Sequence, residues 1–304
     1  MSTPPLILHH YALSPFSEKI RAMLGYAGIP WQSAVTREFP PRPVLAQLAG
    51  GYRKVPVGQI GADVFCDSKI IAEEIAVLAG RPALSLAACE PAVQDYVRSV
   101  DLEIFLACIM QARPLALLRN GGRMNPLDVI RLVIDRVQIG RRSAVKPSSV
   151  AKPGRRVREH LADLDQRLQR HDFLFGDEPN HADFSAYHAL WFMRDMGGSR
   201  LVADHPAVSA WMARMKGFGA GKRQEIAPAD ALAAAKAATP RPLSPAEAAD
   251  GRAVAIAPAD YAQDAASGRL VGETASRWII ARDVPGLGTI HVHFPRAGYV
   301  LTPA

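Results

Sequence analysis

Cysteine is scarce in this sequence. Three stand in 304 residues, Cys66, Cys89 and Cys108, in no C-x-x-C pair and at no metal-ligand spacing, which argues against a disulfide scaffold or a cysteine zinc site. Long apolar runs are missing as well: no window of roughly eighteen residues is apolar and free of charge, so no membrane span is expected. The opening MSTPPLILHHYALSP has neither the basic start nor the apolar core of a signal peptide, and the expectation is a soluble, cytoplasmic protein. Charge of one sign is only mildly in excess, at +7, which permits an anionic ligand without requiring nucleic acid. No stretch interleaves basic and aromatic residues, so nucleic acid is not expected as a partner. What is present, 49% apolar and 21% charged residues, can bury sizeable cores over a length that suits two domains and an appendage.

The chain is organised around Tyr11 to Arg21, YALSPFSEKIR, which follows the apolar run Leu6-Ile7-Leu8. A β-compatible run into Ser-Pro, and then into Glu18, Lys19, Ile20, Arg21, Met23 and Leu24, predicts strand, turn and helix. Ser14 falls at the helix entrance as its cap. Pro15 takes the first helical position, where its missing N–H has no intrahelical partner to lose. A hydroxyl in that place lies beside the positive end of the helix dipole, where an anion is stabilised. Taken alone, the stretch makes Ser14 a helix cap.

Gly28-Ile29-Pro30 breaks the helix, and Trp31 to Val35 predicts a second strand. Pro40-Pro41-Arg42-Pro43 opens a short helical piece ending at Gly50-Gly51. Two apolar runs, Lys54 to Ile60 and Val64 to Cys66, flank Gly61-Ala62-Asp63 as a β-hairpin. Pro56 heads the first hairpin strand, a place where proline is tolerated and cis bonds occur, and it leaves the preceding peptide free to meet a ligand. Asp67-Ser68 then cap Lys69 to Ile75, a second helix N-terminus able to hold an anion.

The order β-α-β, short helix, β-β-α is that of a thioredoxin-like domain. SPFSEKIR, KVP and DS, in this order and at these separations, resemble the N-terminal domain of cytosolic glutathione transferases from Leu6 to about Leu78. Apolar residues at helical spacing follow from Glu90 to Leu118, with Tyr96, Val100, Ile104 and Cys108 as core positions and Asn120-Gly121-Gly122 as a stop. Further helices are predicted over Leu127 to Ile139 and Val157 to Leu168. The basic run Arg141, Arg142, Lys146, Lys152, Arg155, Arg156 and Arg158 reads as a solvated helix end and loop. Asn180 and Asp183 fit a capping box, and this pattern, with HPAVSAWMARM from His205 to Met215, resembles the helical half of the same family, where that aspartate is structural. His181 and His188 read as surface or packed histidines.

Beyond Gly221 the chain departs from the pattern. Pro228 to about Pro258 is rich in Ala and Pro and reads as a helical piece plus linker. Arg277 to Ala281, Thr289 to Phe294 and Tyr299 to Leu301 predict two or three antiparallel strands that pack on the main body or a partner. His291 and His293 share one strand face with no third ligand, so a half-exposed face is expected and no metal site. The expected layout is α/β plus all-α: residues 1–80 a thioredoxin-like glutathione-binding domain, 88–225 an all-helical bundle domain, and 226–304 an Ala/Pro-rich linker with a small β-rich extension.

The resemblance implies a site. Glutathione reacts as its thiolate; by likeness to the serine-type classes, Ser14 donates to that sulfur and lowers its pKa. Phe16 and Ser17 belong to the same motif. Neither Ser14 nor Ser17 is a cysteine, which argues against thiol–disulfide exchange by the chain's own thiols. The Val55 backbone ahead of Pro56 is to meet the cysteinyl part of the tripeptide, and Lys54 the glycyl carboxylate. Asp67 is to hold the γ-glutamyl ammonium, and Ser68 with its N–H the γ-glutamyl carboxylate. The family more often has glutamate where Asp67 stands. The implied protein is a glutathione transferase-like enzyme and a homodimer, with glutathione as co-substrate, no other cofactor, and a small electrophilic or hydrophobic second substrate. Two alternatives stay open: a non-catalytic binding or regulatory module in which Ser14 is only a cap, and a glutathione-dependent isomerase, dehalogenase or ether-cleaving enzyme.

Overall fold

The computed structural model describes residues 4–120, 125–142 and 152–304. The first unit is β1 (Leu6–His10), α1 (Pro15–Ala27), β2 (Pro30–Val35), α2 (Pro43–Ala49), β3 (Val57–Ile60), β4 (Asp63–Cys66) and α3 (Ser68–Ala79). Every residue of β1 is buried, as its unbroken LILHH run requires for a strand covered on both faces. Leu6 and Leu8 meet Ile20 and Met23 of α1 and Ile71 and Ile75 of α3, while Ile7 points to the opposite face. Gly28 ends α1 at φ 69°, a left-handed turn that costs glycine little. The hairpin, the short helix and both caps stand where the sequence places them.

The helical half runs α4 (Pro91–Ser99), a π turn (Val100–Ile104), α5 (Phe105–Gln111), α6 (Pro114–Asn120), α7 (Pro126–Arg142), α8 (Pro153–Leu168), α9 (His181–Trp191) and α10 (Pro206–Gly217). Val100, Ile104 and Cys108 are core residues, and Tyr96 is half-buried against that core. The single helix expected over Glu90 to Leu118 is divided. Ala112 turns to ψ 137°, and Pro114, suited to the first helical position, starts α6. Gly121, Gly122 and Lys146, on which the expected stop and part of the basic run fall, lie outside the described residues. Asp183 is structural. Its carboxylate accepts from the N–H groups of Leu174 and Asn180 and from the Trp211 indole, which closes the capping box and fixes the α9–α10 contact. His181 and His188 are fully buried.

The C-terminal part differs most from expectation. Lys222–Ile226 forms β5, paired in parallel with β2. The Ala-rich run forms α11 (Pro228–Lys236), whose buried Ala231 meets Ile7 and Ala34 on the sheet face opposite α1 and α3. Only the stretch after it is an irregular connection. Five strands follow, not two or three: β6 (Ala253–Pro258), β7 (Ala266–Glu273), β8 (Arg277–Val284), β9 (Gly288–Pro295) and β10 (Tyr299–Pro303). They do not form a separate sheet. One ten-stranded sheet runs β10-β6-β7-β8-β9-β4-β3-β1-β2-β5, with β9 parallel to β4. The helical piece expected in the Ala-rich run is α11, whose small residues let it approach the sheet closely, whereas alanine and proline content concealed β6 within the stretch read as linker.

The join is both apolar and ionic. Leu270, Ile280, Val292 and Phe294 are fully buried with Leu48 of α2 and Val64 of β4, each contributing about 1.5–3 kcal/mol. His291 and His293 do share a face, but His293 is buried rather than half-exposed: β9 lies against β4, and the His293 Nε2–H donates to Asp63 Oδ1 at 2.9 Å. Arg277 bridges Glu73 at 2.5 Å and Glu74 at 2.6 Å, and Arg241 bridges Glu74 at 3.0 Å.

Candidate functional site

Three loops leave one end of the sheet. His9 of β1 pairs with Val57 of β3, and Val57 with Cys66 of β4. Because β3 runs antiparallel to both neighbours, the loop into α1, the loop before β3 and the entrance of α3 emerge side by side. Ser14, Val55-Pro56 and Asp67-Ser68, distant in sequence, are gathered by that register.

Ser14 caps α1: its Oγ accepts from the Ser17 N–H at 3.2 Å, and the residue is 2% exposed. A hydroxyl has one proton and two lone pairs, so capping leaves the proton for another acceptor. Phe16 turns away into the helical half, its ring 4.6 Å from His188 and 5.0 Å from Phe105. Ser17 has no exposed surface. The Val55–Pro56 bond is cis, and β3 begins only at Val57, so the Val55 peptide stands outside the ladder. Asp67 caps α3 through Oδ1, which accepts from the Lys69 N–H at 3.0 Å. Its φ is 81°, a left-handed conformation that costs a non-glycine residue about 1–3 kcal/mol and recurs at ligand sites. Ser68 follows, buried, at the first helical position.

Sequence reasoning missed what lies over these groups. The β6–β7 connection and β10 come across the site. Lys54 Nζ is 2.6 Å from Asp260 Oδ1 and 3.9 Å from the centre of the Tyr261 ring, a charge-assisted hydrogen bond and a cation–π contact on one ammonium. The Tyr299 hydroxyl donates to Asp67 Oδ2 at 2.9 Å, so the Tyr52 hydroxyl, 2.9 Å from it, is the donor in their mutual bond. Burial pushes the Tyr52 and Tyr299 phenols well above the usual tyrosine range, and both stay protonated. No local signal ties Asp260 to Lys54, since the two are 206 positions apart.

On the far side of Arg53 a cavity of about 750 Å³ opens between Phe39, Arg42, Tyr52, Arg131 and Ile134. Arg53 is bound to Asp135 of α7 and lies 3.8 Å from Asp264. Arg42 donates to the carbonyls of Arg37 and Arg53; burial lowers its pKa to about 10, which leaves it charged at neutral pH. Arg136 of α7 donates to the Tyr11 hydroxyl at 3.1 Å. Among the described residues no group of three or more His, Cys, Asp or Glu side chains is arranged to hold a metal, and no helix is long and apolar enough to cross a membrane.

A thioredoxin-like domain with a cis-proline loop and two capped helix entrances at one sheet end, joined to a helical domain, defines a class, and comparison with known proteins agrees. Residues 8–83 match the family described as glutathione S-transferase, N-terminal domain, and residues 154–214 match glutathione S-transferase, C-terminal domain. A solved GST-like protein from Pseudomonas syringae is 32% identical, with 98% of each chain covered and a TM-score of 0.74, so the C-terminal strands are included in the likeness. A glutathione S-transferase from Sinorhizobium meliloti is 21% identical over 75% of this chain and 92% of its own, with a TM-score of 0.49. One from Rhodospirillum rubrum is 23% identical over 69% and 87%, with a TM-score of 0.46. No curated protein matches the sequence. The chain belongs to the glutathione S-transferase superfamily.

Proposed function

We propose that the chain is a serine-type glutathione transferase, in which the Ser14 hydroxyl donates a hydrogen bond to the glutathione thiolate and stabilises it for attack on a small electrophile. The observation that supports this most is the state of Ser14: its lone pair caps α1 while its proton is left over, at the sheet end where the cis-proline loop and the α3 cap also emerge. The α1 dipole adds to the effect, since an anion is stabilised at a helix N-terminus. In this reading the Val55 peptide pairs with the cysteinyl backbone, and Asp67 and Ser68 hold the two charges of the γ-glutamyl end. Lys54 faces the glycyl carboxylate. Phe16 and Ser17 act from below, as packing that fixes the cap. The cavity beside Arg42 and Tyr52 offers room for the second substrate. The reading extends to a homodimer, supported by the exposed apolar side chains Val77 of α3 and Leu102 of the π turn.

Ser14→Ala is the test. The pKa of bound glutathione, followed by thiolate absorbance across pH, should rise by about 1–2 units, and turnover near neutral pH should fall about 10- to 100-fold, since each unit is a factor of ten. An unchanged pKa and turnover, with only the loss of roughly 1 kcal/mol typical of a missing cap, would make Ser14 a cap alone. That result would favour the binding or regulatory module, a reading also supported by the tyrosine and aspartate already seated on Lys54 and Asp67. Isomerisation, dehalogenation and ether cleavage use the same thiolate and differ only in the electrophile.

A further inference from the structure

Two charged groups carry the selection of glutathione in the reading above, Lys54 at the glycyl end and Asp67 at the γ-glutamyl end. Both are engaged by the chain's own C-terminal part, Lys54 by the β6–β7 connection and Asp67 by β10. At Lys54 the partner is a carboxylate, Asp260 Oδ1 at 2.6 Å, the same functional group that ends glutathione. At Asp67 the partner is a hydrogen-bond donor, the Tyr299 hydroxyl at 2.9 Å, which stands where an ammonium would donate. The two partners reach the site from one structural unit: Tyr299 pairs with Pro258 across β10 and β6, two residues before Asp260. Their position is built, not incidental. The Tyr299 ring is 8% exposed and its hydroxyl is held by Tyr52. Ala262, in the same connection as Asp260, is held at φ 51°, a conformation that a non-glycine residue keeps only where its surroundings impose it.

We propose that Asp260 and Tyr299 are specificity-determining residues that act as intramolecular competitors of glutathione. Asp260 occupies the place of the glycyl carboxylate on Lys54, and Tyr299 the place of the γ-glutamyl ammonium on Asp67. This rests on the glutathione reading of the site and adds to it a condition: the tripeptide binds by exchange. Removing the Asp260 charge leaves Lys54 with its Tyr261 contact and a neutral amide in place of the carboxylate, so an incoming carboxylate meets an ammonium that is no longer neutralised. The gain falls on ligands that carry that carboxylate. A thiol tripeptide whose glycine ends in an amide offers the released Lys54 only a neutral carbonyl acceptor and no charge.

The experiment is calorimetric titration of the full chain, as wild type, Asp260→Asn, Tyr299→Phe and the double variant, with glutathione and with its glycyl amide; thermal melts establish that each variant is folded. Asp260→Asn is expected to tighten glutathione binding about tenfold, the equivalent of about 1.4 kcal/mol, and the amide by less than twofold. Tyr299→Phe is expected to tighten both ligands alike, because its effect lies at the other end. Variants that bind glutathione no better than a wild type that does bind it, or bind it more weakly, overturn the competition and leave the glutathione reading in place. Equal gains for glutathione and the amide in Asp260→Asn also overturn it, since they point to a loosened loop. Absence of binding by wild type and all folded variants at millimolar glutathione overturns the competition together with the reading beneath it.

Discussion

Glu74→Ala is expected to cost about 3 kcal/mol of stability, at the lower end of the 3–5 kcal/mol seen when one partner leaves a buried ion pair. The Glu74 side chain is 5% exposed and receives Arg277 at 2.6 Å and Arg241 at 3.0 Å. Burial works against its charge, but Arg277 and Arg241 more than offset this and hold its pKa below the usual glutamate value. Truncation strands Arg277, which is itself largely buried, with only Glu73 at 2.5 Å; that second partner is why the loss falls at the low end. Arg241 is half-exposed and keeps Asp63, 3.7 Å from its Nε. The decisive comparison is Glu74→Leu with Arg277→Met, which should recover most of the loss, because an apolar pair of similar volume avoids desolvating two charges. Urea midpoints at constant slope measure both. A loss below 1 kcal/mol for Glu74→Ala would mean that the apolar contacts across β9 and β4 fasten the C-terminal strands unaided.

Acid should unfold the protein between about pH 6.5 and pH 4. His9, His10, His160, His181 and His188 are buried and neutral. Burial lowers His9, His160 and His188 to about 4, and burial lowers His10 and His181 to about 3. Their hydrogen bonds fit the neutral ring: His10 Nδ1 accepts from Arg21 at 3.0 Å, so its Nε2–H donates to Ser33 at 2.8 Å. The unfolded chain takes up these protons near pH 6.5 and the folded chain does not, so the stability they carry is fully present above pH 6.5 and is lost as pH falls toward the folded values. Each contributes a few kcal/mol at most, and total stabilities are about 5–15 kcal/mol, so two or three are enough to exhaust it. Asp63 and Asp101, whose folded values lie below the usual range, add to the loss only below about pH 4. Urea midpoints measured at several pH values from neutral downward should fall steadily through the histidine window. A midpoint unchanged from pH 7.5 to pH 4.5 would contradict the neutral, buried state of these rings.

The first eighty residues were legible because their signals are local and agree. A cap, a proline, a helix-period run and a left-handed glycine each specify one boundary, and together they set the loops at one end of the sheet. Partners far along the chain leave no such mark. Lys19 occupies a position that any helix surface tolerates, yet it is fully buried and paired with Asp101 at 2.9 Å, 82 positions away. Ser17 and Phe16 sit in the motif beside Ser14, but only the packing of α1 against the helical half turns them inward. The C-terminal strands were half legible. Arg277 to Phe294 has the alternation of a hairpin, whereas β6 and β7, rich in alanine and glycine, take their strand form from neighbours. Asp260 and Tyr299 could be read only after pairing between β6 and β10 carried them to Lys54 and Asp67.

The central claim is that this sheet end binds glutathione through Lys54, Asp67 and Ser68 and presents its sulfur to Ser14. Calorimetry of the full chain with glutathione, beside the Asp67→Ala/Ser68→Ala variant, tests it most directly. We expect saturable binding by the wild type and a loss of at least tenfold, about 1.4 kcal/mol, in the variant, with both proteins folded. No binding by the wild type at millimolar glutathione, or equal binding by the variant, would contradict it.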